Sequence, residues 1–295
     1  MLYQDYIVFD CDNTFGVQKC PVDDGLALLY LLGKPQAQFM GITTTYGNGN
    51  IDLVYDNTKQ MLKDLGRSDI PVLKGGVSKK ERKSEAAEFL VEKANRYQGS
   101  LKILATGALT NLCAAYELDP AFFSKIKEIV LMGGITRSLF LNGVHLDELN
   151  FSCDPEASYC VLTKGRNISI ATGNNCLPAY IRHEDYESRL MNAANPIGQY
   201  IYEKTKRWFD VKVKLYDLNG FYIWDAVSAV YLLEKDMFTD NEHRYIVTSA
   251  DLERGYIGRR TEPLTHRANL PRIHDAKAFI EELYESWFRV PYSYS

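Results

Sequence analysis

The chain has no apolar run close to the ~18 residues that suggest a membrane span, so no membrane partner is expected. It also lacks a dominant charge: 34 Lys and Arg against 38 Asp and Glu leave a net charge of -4. That balance gives no electrostatic reason to expect nucleic acid or an anionic surface. The basic run Lys79-Lys80-Glu81-Arg82-Lys83 is mixed with acid and reads as a solvated face or loop. The six cysteines, Cys11, Cys20, Cys113, Cys153, Cys160 and Cys176, are irregularly spaced and form no CxxC pair, which argues against a zinc site. They read as reduced thiols of a cytoplasmic protein, although Cys11 and Cys20 flank one loop and leave room for redox coupling. Residues Met1–Asp5 lack the basic start and apolar region of a signal peptide. With no internal repeat, low-complexity tract or linker, a single domain over residues 1–295 is expected.

What is present is alternation. Strands are expected at Ile7–Phe9, Phe39–Thr44, Ile103–Ala105, Glu128–Met132 and Ile168–Ala171. Each is short, apolar and bounded by Gly, Asp or Thr. Between them the pattern predicts helices at Gly25–Leu32, Leu53–Leu65, Glu85–Tyr97, Asn111–Glu117 and Pro155–Leu162. In the second of these, Val54, Thr58, Met61, Leu62 and Leu65 recur at helical spacing. Such alternation predicts an α/β fold with a mostly parallel, doubly wound sheet covered by helices on both faces. Residues 185–220 read as helical and aromatic, and a helix follows from Asp225 to about Leu233. The last part reads as a strand or two and a final helix, Ala276–Phe288.

Four carboxylates fall where this pattern places chemistry. Asp10 and Asp12 end the first apolar run, and Asp23 and Asp24 open the next. Strand ends and helix starts are where open α/β sheets bind ligands. Packing such carboxylates together is unfavourable without a cation or a shared proton, and a hard cation with oxygen ligands is the simplest solution. Further polar residues follow the other strands: Thr45-Tyr46-Gly47-Asn48, Thr106-Gly107, Gly133-Gly134, and Trp224-Asp225 before a late helix. In a parallel sheet these converge on one rim. Asp154-Pro155-Glu156 reads simply as a helix start with Pro at its first position.

Taken in order, these segments resemble the inosine-uridine-preferring nucleoside hydrolases. The matching segments are Asp10-Cys11-Asp12 with Asp23-Asp24, Thr44–Asn48, Ala105–Asn111, Val130–Gly134, Glu148-Leu149-Asn150 with Asp154–Ala157, and Asp225. The resemblance spans roughly residues 5–235. It implies a Ca²⁺-dependent N-ribohydrolase that cleaves a ribonucleoside to ribose and free base, commonly as a homodimer or homotetramer. By position, Asp12, Asp24, Asp225 and the Thr106 carbonyl would hold the ion, which would also bind the ribose hydroxyls and the attacking water. Asp12 would take that water's proton. Asp23 and Asn48 would bind the ribose diol. Glu148, Asn150 and Asn142 would bind the 5′-hydroxyl, and Met132 would pack under the sugar.

The chain also departs from that family. Ten residues, Asn13–Val22, separate Asp12 from Asp23, where the family usually has three. This insertion must loop out, as a lid or as a reshaped pocket wall. Trp224 stands where many members have a His that serves the leaving base; an indole cannot donate that proton usefully but can stack on a base, as can Tyr222. Segment Val77–Glu85 is short, and Asn175 replaces a common acidic residue. None of the five histidines is obviously placed to substitute, and His145, in the 140–150 loop near Glu148, is the one worth testing. Two rival readings remain at this point. Phe9–Thr14 also looks like the nucleophile motif of haloacid-dehalogenase-like, Mg²⁺-dependent phosphatases, with Asp10 attacking phosphorus. A non-catalytic nucleoside- or ribose-binding protein on the same fold is the other.

Overall fold

Beginning at Tyr6, the apolar run of strand β1 (Tyr6–Cys11) forms the middle of an eight-stranded sheet. The computed structural model describes residues 6–191, 195–258 and 265–292; the reading of Met1–Asp5 lies outside them. The chain continues through α1 (Asp23–Leu32), β2 (Gln38–Thr44), α2 (Ile51–Asp64), β3 (Val72–Leu73), α3 (Glu85–Arg96) and β4 (Leu101–Ala105). Helices α4 (Thr110–Leu118) and α5 (Phe122–Lys125) lead to β5 (Glu128–Met132), followed by a hairpin of β6 (Leu139–Leu141) and β7 (Val144–Leu146). Helix α6 (Pro155–Lys164) precedes β8 (Ile168–Ala171). Then come β9 (Tyr180–Arg182), α7 (His183–Leu190), α8 (Pro196–Tyr216), β10 (Gly220–Tyr222) and α9 (Trp224–Leu233). The chain closes with β11 (Phe238–Thr239), β12 (Glu242–Tyr245), α10 (Ser249–Leu252), β13 (His266–Asn269), β14 (Arg272–Ile273) and α11 (Ala276–Phe288).

The sheet order is β12-β13-β8-β5-β4-β1-β2-β3. Strand β1 pairs in parallel with both β2 and β4, and β5 with β4 and β8. Only the edge strand β12 runs antiparallel. This is the mostly parallel, doubly wound sheet that the alternation predicted.

Period-two alternation in β1 divides the apolar side chains between two layers. Ile7, Phe9 and Cys11 join a core with residues of α1, α2, α8, α9 and α11, while Val8 joins a second core with α3, α4 and α6. Helix α1 is buried over almost its whole length, so it shows no amphipathic stripe. Helix α11 lies over it: the Trp287 indole donates to the Leu26 carbonyl at 2.9 Å, and the Ser286 hydroxyl to that of Tyr30 at 2.7 Å. Lys34 adds ion pairs to Glu234 and Glu282. The start of α6 is as expected, with Asp154 capping the Ala157 amide and Pro155 following it. Asp154 also pairs with Arg82 at 2.7 Å, so this one member of the basic run is a structural cation and not a solvated one.

Candidate active site at the carboxyl rim of the sheet

Asp12 follows the last residue of β1 and is fully buried. Its Oδ2 accepts the backbone N–H of Asn48 at 2.6 Å. The chain after β2 wraps so closely that a Cβ at Gly47 would lie 2.1 Å from that oxygen, which leaves room only for glycine. The Asn48 amide donates to Asp24 Oδ2 at 3.2 Å, and the Thr106 hydroxyl, just past β4, donates to Asp24 Oδ1 at 2.7 Å. Asp23 and Asp24 occupy the first turn of α1, and Asp225 the first turn of α9. The partial positive charge of a helix N-terminus favours carboxylates there. Among the described residues, Asp23, Asp24 and Asp225 each place an oxygen within 4.8 Å of the others, and the Asp12 side chain meets that of Asp24.

The cluster is short of positive charge. Burial, reinforced by mutual repulsion, holds the Asp12, Asp23, Asp24 and Asp225 carboxyls above the usual carboxylate range. Asp12 Oδ1 and Asp23 Oδ1 are buried with no hydrogen-bond partner. Unsatisfied buried acceptors of this kind cost about 1–3 kcal/mol each. An all-oxygen donor set with orphaned lone pairs fits a hard cation.

Asp10 belongs to a different environment. Its Oδ2 is held by the Thr43 hydroxyl (2.6 Å) and the Asn111 amide (2.8 Å), and burial pushes its carboxyl up to about 7. Asp10 is absent from the cavity wall, as is Asp12, and its Oδ1 is likewise buried without a partner; what sets it apart is the pair of bonds that ties its Oδ2 to β2 and α4.

A cavity of about 200 Å³ opens beside the carboxylates, a recess of small-molecule size. Its lining includes Asp23, Asn48, Thr106, Met132, Glu148, Asn150, Trp224 and Asp225. Met132 ends β5, and the Asn150 amide donates to its carbonyl at 3.0 Å. Glu148 spends its carboxylate on the chain: one oxygen accepts the Gly134 and Phe151 amides, and the other that of Ser152.

Asn142 is a correction to the sequence reading. It sits exposed at the β6–β7 turn with φ 45°, and its amide is drawn to the Tyr216 and Asp217 carbonyls. It does not line the cavity. His145 is likewise exposed, beside Asp147 and against Phe140, and does not substitute for the missing histidine. Asn175 ties the end of β8 to the Leu270 and Pro271 carbonyls.

The insertion 13–22 is anchored at both ends. Asn57 binds the Asn13 and Phe15 carbonyls, and the Thr14 hydroxyl binds that of Pro21. Phe15 is buried so tightly against α1 that a Cβ at Gly25 would come within 2.4 Å of its ring. Pro21 reaches the cavity wall, so the loop shapes the pocket. Cys11 and Cys20 are both free, the first buried in the core.

The sequence reading missed other parts of the wall, among them Trp208, Lys212 and Tyr216 of α8, and Leu139 and Leu141 of the hairpin. The signal was present in part, because residues 208, 212 and 216 recur every fourth position and so share one helix face.

Fold and site together define a parallel α/β protein with an oxygen-donor cation pocket and an aromatic recess at the carboxyl rim. Residues 7–281 match the model of the family described as inosine-uridine preferring nucleoside hydrolase. The chain belongs to this family, whose chemistry is the hydrolysis of nucleoside N-glycosyl bonds. Uridine nucleosidase 1 of Arabidopsis thaliana is 32% identical over 246 residues, covering 74% of this chain and 73% of that protein. Among solved structures, the plant nucleoside hydrolase PpNRh1 superposes with a TM-score of 0.84 at 23% identity, over 96% of this chain and 99% of its own. The purine-preferring ribonucleoside hydrolase from Gardnerella vaginalis gives 0.82 at 21% identity, over 96% and 98%.

Proposed function

We propose that this protein is a Ca²⁺-dependent N-ribohydrolase that cleaves a ribonucleoside, with uridine as the leading substrate, to ribose and free base. The observation that carries the reading is the pair of buried, partnerless oxygens, Asp12 Oδ1 and Asp23 Oδ1, beside Asp24 and Asp225. Asp12, Asp24 and Asp225, with the Thr106 carbonyl, would hold the ion. When bound, such an ion supplies Lewis acidity toward sugar hydroxyls and water. Asp12 takes a proton from the attacking water as general base; its other oxygen is fixed by the Asn48 amide, which sets the direction of the free one. Asp23 and Asn48 bind the ribose diol. Met132 lies under the sugar and Asn150 meets its 5′ end, while Glu148 acts indirectly by shaping the 134–152 wall. The ribosyl group acquires positive charge in an oxocarbenium-like transition state, and the buried carboxylates stabilise it. Trp224 and Tyr222, with ring centroids 5.3 Å apart, offer faces for the base.

The similarity to an Arabidopsis uridine nucleosidase supports the choice of uridine. The free cysteines support a reducing, cytoplasmic setting. We treat the chain as one domain, assembling as the homodimer or homotetramer common in the family. The test is a nucleoside panel scored for reducing sugar, with Ca²⁺ and with chelator. Ribose released only with the ion supports the reading. Tight nucleoside binding without any ribose would overturn it in favour of a binding protein.

A further inference from the structure

Breaking an N-glycosidic bond heterolytically leaves the bonding electron pair on the base, so the base end of the site needs a hydrogen-bond donor or a positive charge. Among the described residues no histidine or arginine lines the cavity, and Lys212 is its one cation. Its carboxylates cannot donate once ionised. Lys212 is half-buried on α8, with Nζ 5.9 Å from the Trp208 ring centroid and 5.7 Å from that of Tyr216. It makes no hydrogen bond or ion pair with any described residue, although its field reaches Asp23. One helical turn earlier, Trp208 also lines the cavity. It is 7% exposed, and its indole N–H is buried with no acceptor. Two residues on one helix face therefore line the same recess with donors that have no acceptor among the described residues, alongside the aromatic rings of Phe221, Tyr222 and Trp224.

We propose that Trp208 and Lys212 recognise and activate the leaving base, donating from the indole N–H and Nζ to carbonyl oxygens of an oxo-base such as uracil. This rests on the nucleosidase reading above. The C1′–N bond breaks and its electron pair passes into the base, delocalised onto a carbonyl oxygen. Lys212 Nζ stabilises that anion and passes it a proton, which solvent replaces. Water adds to C1′ and loses its proton to Asp12, which releases it to solvent. The sum is nucleoside plus water giving ribose plus base. A point charge on a flexible stem can follow the oxygen as charge develops, and the ring contacts position it.

The experiment compares uridine with 4-nitrophenyl riboside, whose aryloxide departs without a proton. Wild type, Lys212→Met, Lys212→Arg and Trp208→Phe are assayed on both. For Lys212→Met the expected loss in kcat is about a hundredfold on uridine and at most about threefold on the aryl riboside, whose turnover also reports that the variant is folded. Lys212→Arg recovers part of the uridine rate, and Trp208→Phe raises KM for uridine about tenfold, as one lost hydrogen bond implies. Equal losses on both substrates, or no loss on uridine, would overturn the assignment while leaving the nucleosidase reading intact. If wild type releases ribose from neither substrate, the nucleosidase reading fails and this proposal falls with it.

Discussion

The two halves of the cavity are built on opposite principles. The carboxylate half is made by the ends of β1 and β4 and the starts of α1 and α9, all buried in the middle of the sheet, with side chains fixed by bonds of 2.6–3.2 Å. The base half is made by α8, β10 and the β6–β7 hairpin, which pack outside the main sheet through rings and aliphatic side chains. The first half is rigid and electrostatically frustrated without a cation. The second is apolar, with two idle donors. Chemistry shared by a family can be held by the first while the second varies, which is consistent with a tryptophan at 224 and a ten-residue loop reaching the wall through Pro21.

The sharpest way to break this division is Asp12→Asn. It removes the proposed general base and ion ligand while keeping the Asn48 contact, so kcat should fall by about 10³-fold or more with the fold retained by circular dichroism; near-normal turnover would refute the assignment. A smaller effect separates the halves by substrate. Trp224→Ala removes a stacking face worth about 1 kcal/mol, so KM should rise about fivefold with kcat little changed. A fall in kcat alone would move Trp224 into the chemistry.

Stability should show the same asymmetry. Asp10, whose carboxyl is pushed up to about 7, and the four site carboxyls are acids raised above their unfolded value of about 3.9. The folded state then binds more protons than the unfolded one, and ion-free protein loses stability as pH rises from about 4 through 7. Tm of chelated protein should therefore fall between about pH 5 and pH 8, and Ca²⁺ should restore it at the upper end by mass action. A pH-independent Tm gap between the two forms would contradict the frustrated-cluster account. The smallest effect is expected at Asn142→Ala, outside the cavity: kcat/KM within about twofold, since it removes only two exposed side-chain hydrogen bonds. A tenfold loss would return Asn142 to the sugar site.

The same division explains what was legible in the sequence. The five strand runs fell inside β1, β2, β4, β5 and β8, and the final helix matched α11 at both ends, because buried parallel strands and capped helices carry local signals. The acidic cluster was legible for the same reason, as short polar interruptions at the ends of apolar runs. The base half was legible only in part. Region 185–220, expected to be helical, holds α7 and α8 before β10 begins, but the 140–150 loop contains the β6–β7 hairpin, whose pairing depends on a turn at Asn142-Gly143. Strand β13 owes its place to a distant partner, β8, and the edge strand β12 carries alternating exposed charge that conceals it. Asn142 was assigned to the 5′-hydroxyl by the family resemblance alone, while its left-handed turn conformation directs the amide to the end of α8.

The central claim, that the buried carboxylates are a cation site serving N-glycosyl hydrolysis, is tested most directly by ribose release from uridine in chelator-stripped protein. The account predicts that stripping lowers the rate about a hundredfold or more, that Ca²⁺ restores it in wild type, and that the same ion fails to restore Asp225→Ala. Full activity in excess chelator, or equal rescue of the Asp225 variant, would contradict it.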